Sequence, residues 1–124
     1  MSAIDLLFTA LRSENRKALM PFVTAGDPDL DFTSTVIQKM VGCGASLVEV
    51  GIPYSDPIAD GPVIQASYTR ALENGLHVDD IFAGVATLAE ENRPPLVAMV
   101  AYSIIFRSGV NAFLTKVNNR DFPG

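Results

Sequence analysis

An α/β fold with a parallel sheet covered by helices is what this sequence predicts. Three apolar runs, at 18–24, 47–50 and 96–102, alternate with stretches whose apolar residues recur at helical spacing. Each run is apolar almost throughout, as suits a strand buried on both faces, and the intervening helices supply the right-handed crossovers that parallel strands require. A closed barrel and an open sheet both satisfy this pattern. In either, functional groups gather at the C-terminal ends of the strands.

The elements follow in order. Ile4, Leu7, Phe8 and Leu11 share one face of an N-terminal helix, and Ser2 with Asp5 makes a capping box at its start. Leu and Phe at that spacing point to a plug over the bottom of a barrel or sheet. After polar residues 13–17, the run 18–24 is the first strand, and Gly26, Asp27 and Pro28 turn the chain. A helix over 31–41 presents Phe32, Val36, Ile37 and Met40, and ends at Gly42 and Gly44. The second strand, 47–50, leads into a long loop. Pro62 suits the first turn of the next helix, whose apolar face is Ile64, Tyr68, Ala71 and Leu72, with Gly75 as its stop. A further helix over 78–92 rests on Ile81, Phe82, Val85 and Leu88, with Asp79 and Asp80 at its positive end. Pro94 and Pro95 precede the third strand, and a short helix over 110–117 follows.

With 48% hydrophobic and 19% charged residues in 124, the chain is of ordinary globular composition. A formal charge of -5 argues against nucleic-acid binding and against anionic lipid surfaces. It also repels phosphorylated ligands at long range, so a bound phosphate needs helix N-termini or backbone amides. Cys43 is the only cysteine, which fits a reducing cytoplasm, and between Gly42 and Gly44 it is expected to be a small buried residue. No run approaches the roughly 20 apolar residues of a membrane span, and no signal segment is evident, so a soluble cytoplasmic protein is expected. His77 has no companions for a metal site, and no nucleophile-elbow pattern supports a hydrolase on Ser55, Asp56 and His77.

The most informative stretch is LVEVGIPYSDPIADGP, residues 47–62. Glu49 lies one residue before the end of an apolar strand, where loss of water favours the protonated carboxyl and suits proton transfer near neutral pH. Asp60, in a loop rich in Gly, Pro and Ser, is expected to stay ionised as a fixed negative charge. The plainer alternative is structural: Glu49 pairing with an Arg or capping a helix, and Asp60 starting the helix at Pro62.

The segment VEVGIPYSDPIADGPVIQAS, together with LMPFVTAGDPD upstream, resembles the signature of the tryptophan synthase alpha subunit. That resemblance implies a (β/α)8 TIM barrel, an architecture of about 250 residues, of which residues 1–124 are the N-terminal portion: an N-terminal helix and the first three βα units of one incomplete domain. It further implies a lyase that cleaves indole-3-glycerol phosphate by a retro-aldol reaction to indole and glyceraldehyde 3-phosphate in tryptophan biosynthesis. Glu49 matches the proton-transfer residue and Asp60 the carboxylate at the ring nitrogen. Phe22, Val100 and Tyr102 match the indole pocket. The loop with Pro53, Asp56 and Pro57 matches one that closes over substrate and faces a beta subunit in an alpha2beta2 tetramer. Pyridoxal phosphate is implied in that partner, and no metal or organic cofactor in this chain. After Tyr102, SIIFRSG lacks the Asn that many members carry at the start of this loop, and no phosphate-binding loop is present among residues 1–124. A non-catalytic half-barrel that only docks a partner is the alternative.

Overall fold

The computed structural model describes residues 1–88 and 94–119. Its centre is a parallel sheet of three strands, β1 (Phe22–Thr24), β2 (Val48–Gly51) and β3 (Leu96–Met99), in the order β1-β2-β3. Register sets Phe22, Glu49 and Val97 side by side, with Thr24, Gly51 and Met99 in line at the C-terminal ends. Among the described residues the helices are α1 (Ala3–Ser13), α2 (Leu30–Gly42), α3 (Pro62–Glu73), α4 (Val78–Ala86), α5 (Tyr102–Ser108) and α6 (Val110–Asn119). This is an open, partial (β/α) barrel.

Strand side chains alternate between faces, and burial separates the two faces here. Val48 and Val50 are fully enclosed, in one cluster with Ile37 of α2, Ile81, Phe82 and Val85 of α4, and Phe113 and Val117 of α6. Phe82 and Phe113 meet edge to face with centroids 5.7 Å apart. On the opposite face Phe22, Glu49 and Val97 are half-buried and Met99 is exposed. The main apolar core therefore lies between sheet and helices, and the other side of the sheet is covered only at its C-terminal end, where Thr24 and Gly51 are buried.

Local signals place the helix ends. The Ser2 hydroxyl and the Asp5 carboxylate exchange hydrogen bonds with each other's backbone N–H at the start of α1. Asp29 accepts from the Phe32 N–H at 2.7 Å to cap α2, Pro62 opens α3, and the Asp80 carboxylate takes the His77 N–H at 2.9 Å before α4. Gly44 and Gly75, both at positive φ, release α2 and α3 into their loops.

Several expectations are corrected. β1 starts only at Phe22, because Leu19 and Met20 are half exposed and the Leu19 carbonyl instead accepts from the Ser46 N–H at 2.8 Å. β3 stops at Met99, and Tyr102 opens α5 where a strand end and a loop were expected. Cys43 is exposed, since it is the C-cap of α2 and faces away from the core. On α2 the buried positions are Thr33 and Ile37, while Phe32 is turned outward. The α1 stripe is only half covered, with Leu11 buried outside the main cluster. Helix α4 ends at Ala86, and residues 89–92 of the expected longer helix lie outside the described residues.

Because Phe82 is fully buried in the core cluster and meets Phe113 of α6, Phe82→Ala should lower unfolding free energy by about 3–5 kcal/mol. Urea denaturation of parent and variant measures this, and a loss under about 1 kcal/mol would mean that this contact does not hold the helix layer.

Candidate functional site

The loop at 52–60 and helix α3 build a pocket at the C-terminal ends of β2 and β3. Helix α3 is tied to the end of β1 by a buried hydrogen bond of 2.7 Å between the Thr24 and Ser67 hydroxyls. A two-point Arg70–Asp27 ion pair, at 2.7 and 3.0 Å, and the Asn74 amide on the Pro28 carbonyl at 3.0 Å add to that tie. The Gln65 side-chain amide donates to the carbonyls of both Asp60, at 2.7 Å, and Pro57, at 3.2 Å. One residue of α3 thus clamps the second half of the loop. Nothing in a helical hydrophobic pattern marks Gln65, because its role is to serve backbone carbonyls outside the helix.

Between this loop and the end of β3 lies a cavity of about 270 Å³, whose walls include Ile52, Tyr54, Asp60, Tyr68, Met99 and Val100. Asp60 is half-buried there. The helix start is capped by Gly61 with no side-chain bond, so Asp60 does not serve as the N-cap. Its carboxylate has no ion pair or side-chain hydrogen bond among the described residues, and neither has that of Glu49. Among the described residues, neither acid meets the partner that a purely structural role would call for.

Gly51 explains how the aromatic groups fit. A Cβ at this position would lie 2.5 Å from the Phe22 ring and 2.8 Å from the Tyr68 hydroxyl, so both side chains occupy the space that any other residue would fill. Tyr68 is 3% exposed. Burial, and secondarily the negative charge of Asp60, hold its hydroxyl proton above the ordinary value of 10.0. A larger groove of about 530 Å³ lies between α2 and α4, on the helix side of the sheet. Two of its carboxylates, Asp29 and Asp80, are already engaged at helix ends.

The family model for the tryptophan synthase alpha chain matches residues 8–124. The chain belongs to the tryptophan synthase alpha chain family. The alpha chain of Rhodopirellula baltica is 48% identical over all of this chain and 46% of its own length, and that of Synechocystis is 46% identical over all of this chain and 47% of its own. Among solved structures, the alpha subunit from Legionella pneumophila superposes with a TM-score of 0.93 at 34% identity, over 98% of this chain and 47% of that one. Tryptophan synthase from M. tuberculosis gives 0.89 at 32% identity, over 97% and 48%. The chain spans about half the length of the alpha chains it matches.

Placed on this alpha-chain frame, the residues singled out by sequence fall into separate groups. Asp60 and Val100 line the loop cavity. Glu49 and Phe22 stand side by side across β2 and β1 on the open face. Glu49 is not part of the cavity wall, so the two carboxylates lie on one sheet edge without sharing one enclosed pocket among the described residues. Tyr102 is 67% exposed, its ring 6.3 Å from that of Phe106, and it does not line the cavity, because α5 carries it outward. In the loop, Pro53 is buried, Pro57 half-buried and Asp56 exposed, and Ile58 at the tip is 94% exposed. Among the described residues no group of three or more His, Cys, Asp or Glu could hold a metal, and no helix is long and apolar enough to cross a membrane.

Gly51→Ala should destabilise the chain by about 1–3 kcal/mol, since a methyl group at 2.5 Å from the Phe22 ring forces side chains off their rotamers. Denaturant midpoints would register the loss. An unchanged midpoint would show that Phe22 and Tyr68 do not meet over Gly51.

Proposed function

We propose that residues 1–124 are the part of a tryptophan synthase alpha chain that carries both reacting carboxylates for cleavage of indole-3-glycerol phosphate, and that as a separate polypeptide they are a non-catalytic half-barrel that docks a beta subunit through the loop 53–60. The observation that carries this reading is the pair of acids at one sheet edge: Glu49 beside Phe22 on the open face, and Asp60 in the loop cavity, both without ion-pair partners among the described residues.

The chemistry follows from the charges that the reaction generates. Glu49 delivers a proton to C3 of the indole ring and takes one from the side-chain hydroxyl, whose oxygen becomes the aldehyde oxygen of glyceraldehyde 3-phosphate. The carbon–carbon bond then breaks, and its electrons flow to the cationic ring nitrogen and restore the indole. Asp60, fixed and negative, stabilises that nitrogen as its charge develops. The ring of Phe22 and the Val100 wall offer an apolar bed for the indole, and Tyr102, directed outward here, is assigned to it only by its family position. The phosphate finds no cationic cradle on this edge among the described residues, which supports the need for the rest of a barrel. Pyridoxal phosphate belongs to the beta subunit in this reading, within an alpha2beta2 assembly, and Asp56 and the exposed loop tip are the surface that meets it.

The test joins residues 1–119 to the second half of the Rhodopirellula baltica relative and measures indole release. Glu49→Gln should reduce turnover at least about 10²-fold while substrate still binds, because the amide keeps the shape and cannot transfer a proton. Asp60→Asn should lower turnover more than it raises KM. Activity of the Glu49 variant within a few-fold of its parent would remove Glu49 from the mechanism.

Residues 1–124 alone should form no indole, with or without a beta subunit, and should self-associate through the open sheet face and the strand edges of β1 and β3. Sedimentation, amide exchange and an indole assay measure this together. A protected monomer that releases indole would overturn the half-barrel argument.

A further inference from the structure

Tyr68 is 97% enclosed, yet its hydroxyl has no hydrogen-bond partner among the described residues. Buried phenols almost always find one, since a polar group removed from water without a partner is costly. The neighbouring hydroxyls are already committed: Thr24 and Ser67 bond to each other, and Ser67 also to the Ile64 carbonyl at 2.8 Å. The Tyr68 hydroxyl instead ends over Gly51 beside the edge of the Phe22 ring, and Tyr68 shares the walls of the 270 Å³ cavity with Asp60. An uncommitted donor, a fixed carboxylate and apolar walls at Ile52 and Val100 are the makings of a small-molecule site with few polar groups.

We propose that the Tyr68 hydroxyl donates a hydrogen bond to an oxygen of the molecule that fills this cavity, and so selects an indole whose side chain bears a hydroxyl over one that lacks it. This rests on the reading of the Asp60 cavity as an indole site. Two facts support the donor role. The proton is held on the phenol by burial and by the charge of Asp60, and an anionic ligand oxygen would be repelled by that same charge, which leaves neutral hydroxyl or carbonyl oxygen as the acceptor. The hydroxyl is thus a specificity group, and the proton-transfer steps stay with Glu49.

The test uses residues 1–119 joined to the second half of the Rhodopirellula baltica relative, 3-(2-hydroxyethyl)indole and 3-ethylindole as matched probes, and Tyr68→Phe, which keeps the ring and removes only the oxygen. Isothermal titration should show the hydroxyethyl probe binding about fivefold more weakly to the variant than to the parent, with 3-ethylindole unchanged. The variant's Tm should be equal or higher, since an unpartnered buried hydroxyl is removed. The proposal is overturned if both probes respond alike to Tyr68→Phe, which would mean that water serves the hydroxyl, or if Tm falls by several degrees, which would reveal a partner within the protein. Asp60→Asn separates the two ideas: if it leaves both probes unaffected while Tyr68→Phe still abolishes the preference, the role of Asp60 fails and that of Tyr68 stands. If neither probe binds the parent, both fail.

Discussion

The two-residue repeat of β2 is the constraint on which the remaining architecture depends. Val48 and Val50 must enter the helix layer, where they are fully buried against α2 and α4, and this commits Glu49 and Gly51 to the opposite face. A slip of one residue would drive a carboxylate into the apolar core and expose two valines. Core formation and presentation of the acid are therefore one event. The parallel register then carries the same division across the sheet, so that Phe22 and Val97 flank Glu49 while Val23 and Leu96 join the core.

Helix α3 adds the second level. It has polar ties to β1 and to the loop after it, through Ser67, Arg70 and Asn74, and its Tyr68 closes over Gly51. Each tie is modest, and the Arg70–Asp27 pair is partly solvated, so its value is positional more than energetic. What the ties secure is the direction in which the loop 52–60 leaves the sheet. Membership of the alpha chain family fits this arrangement, and the half-length match fits the uncovered face.

Much of this was legible from residues alone, and the failures share a cause. Parallel βα units, the Ser2–Asp5 cap, Pro62 at a helix start and Gly75 at a helix end follow from local chemistry that tertiary contacts rarely override. Strand length was overestimated at 18–24 and 96–102, because an apolar run records burial potential and not ladder pairing: Leu19 and Met20 lie half exposed, and Tyr102 turns into α5. Cys43 is exposed for the converse reason, since a residue between glycines at a helix end is placed by the cap and not by its own hydrophobicity. Among the candidate site residues, Glu49 and Asp60 stand out from their neighbours in sequence. Gln65 and the Tyr68 hydroxyl do not, because where their polar atoms arrive in space is not written in a local pattern.

The Gln65 amide has a mechanical corollary. It grips the carbonyls of Pro57 and Asp60, and the residues between them, Ile58 and Ala59, form an exposed tip. A single side chain on α3 therefore fastens both ends of that tip, with one bond on the Pro57 carbonyl and one on the backbone of Asp60.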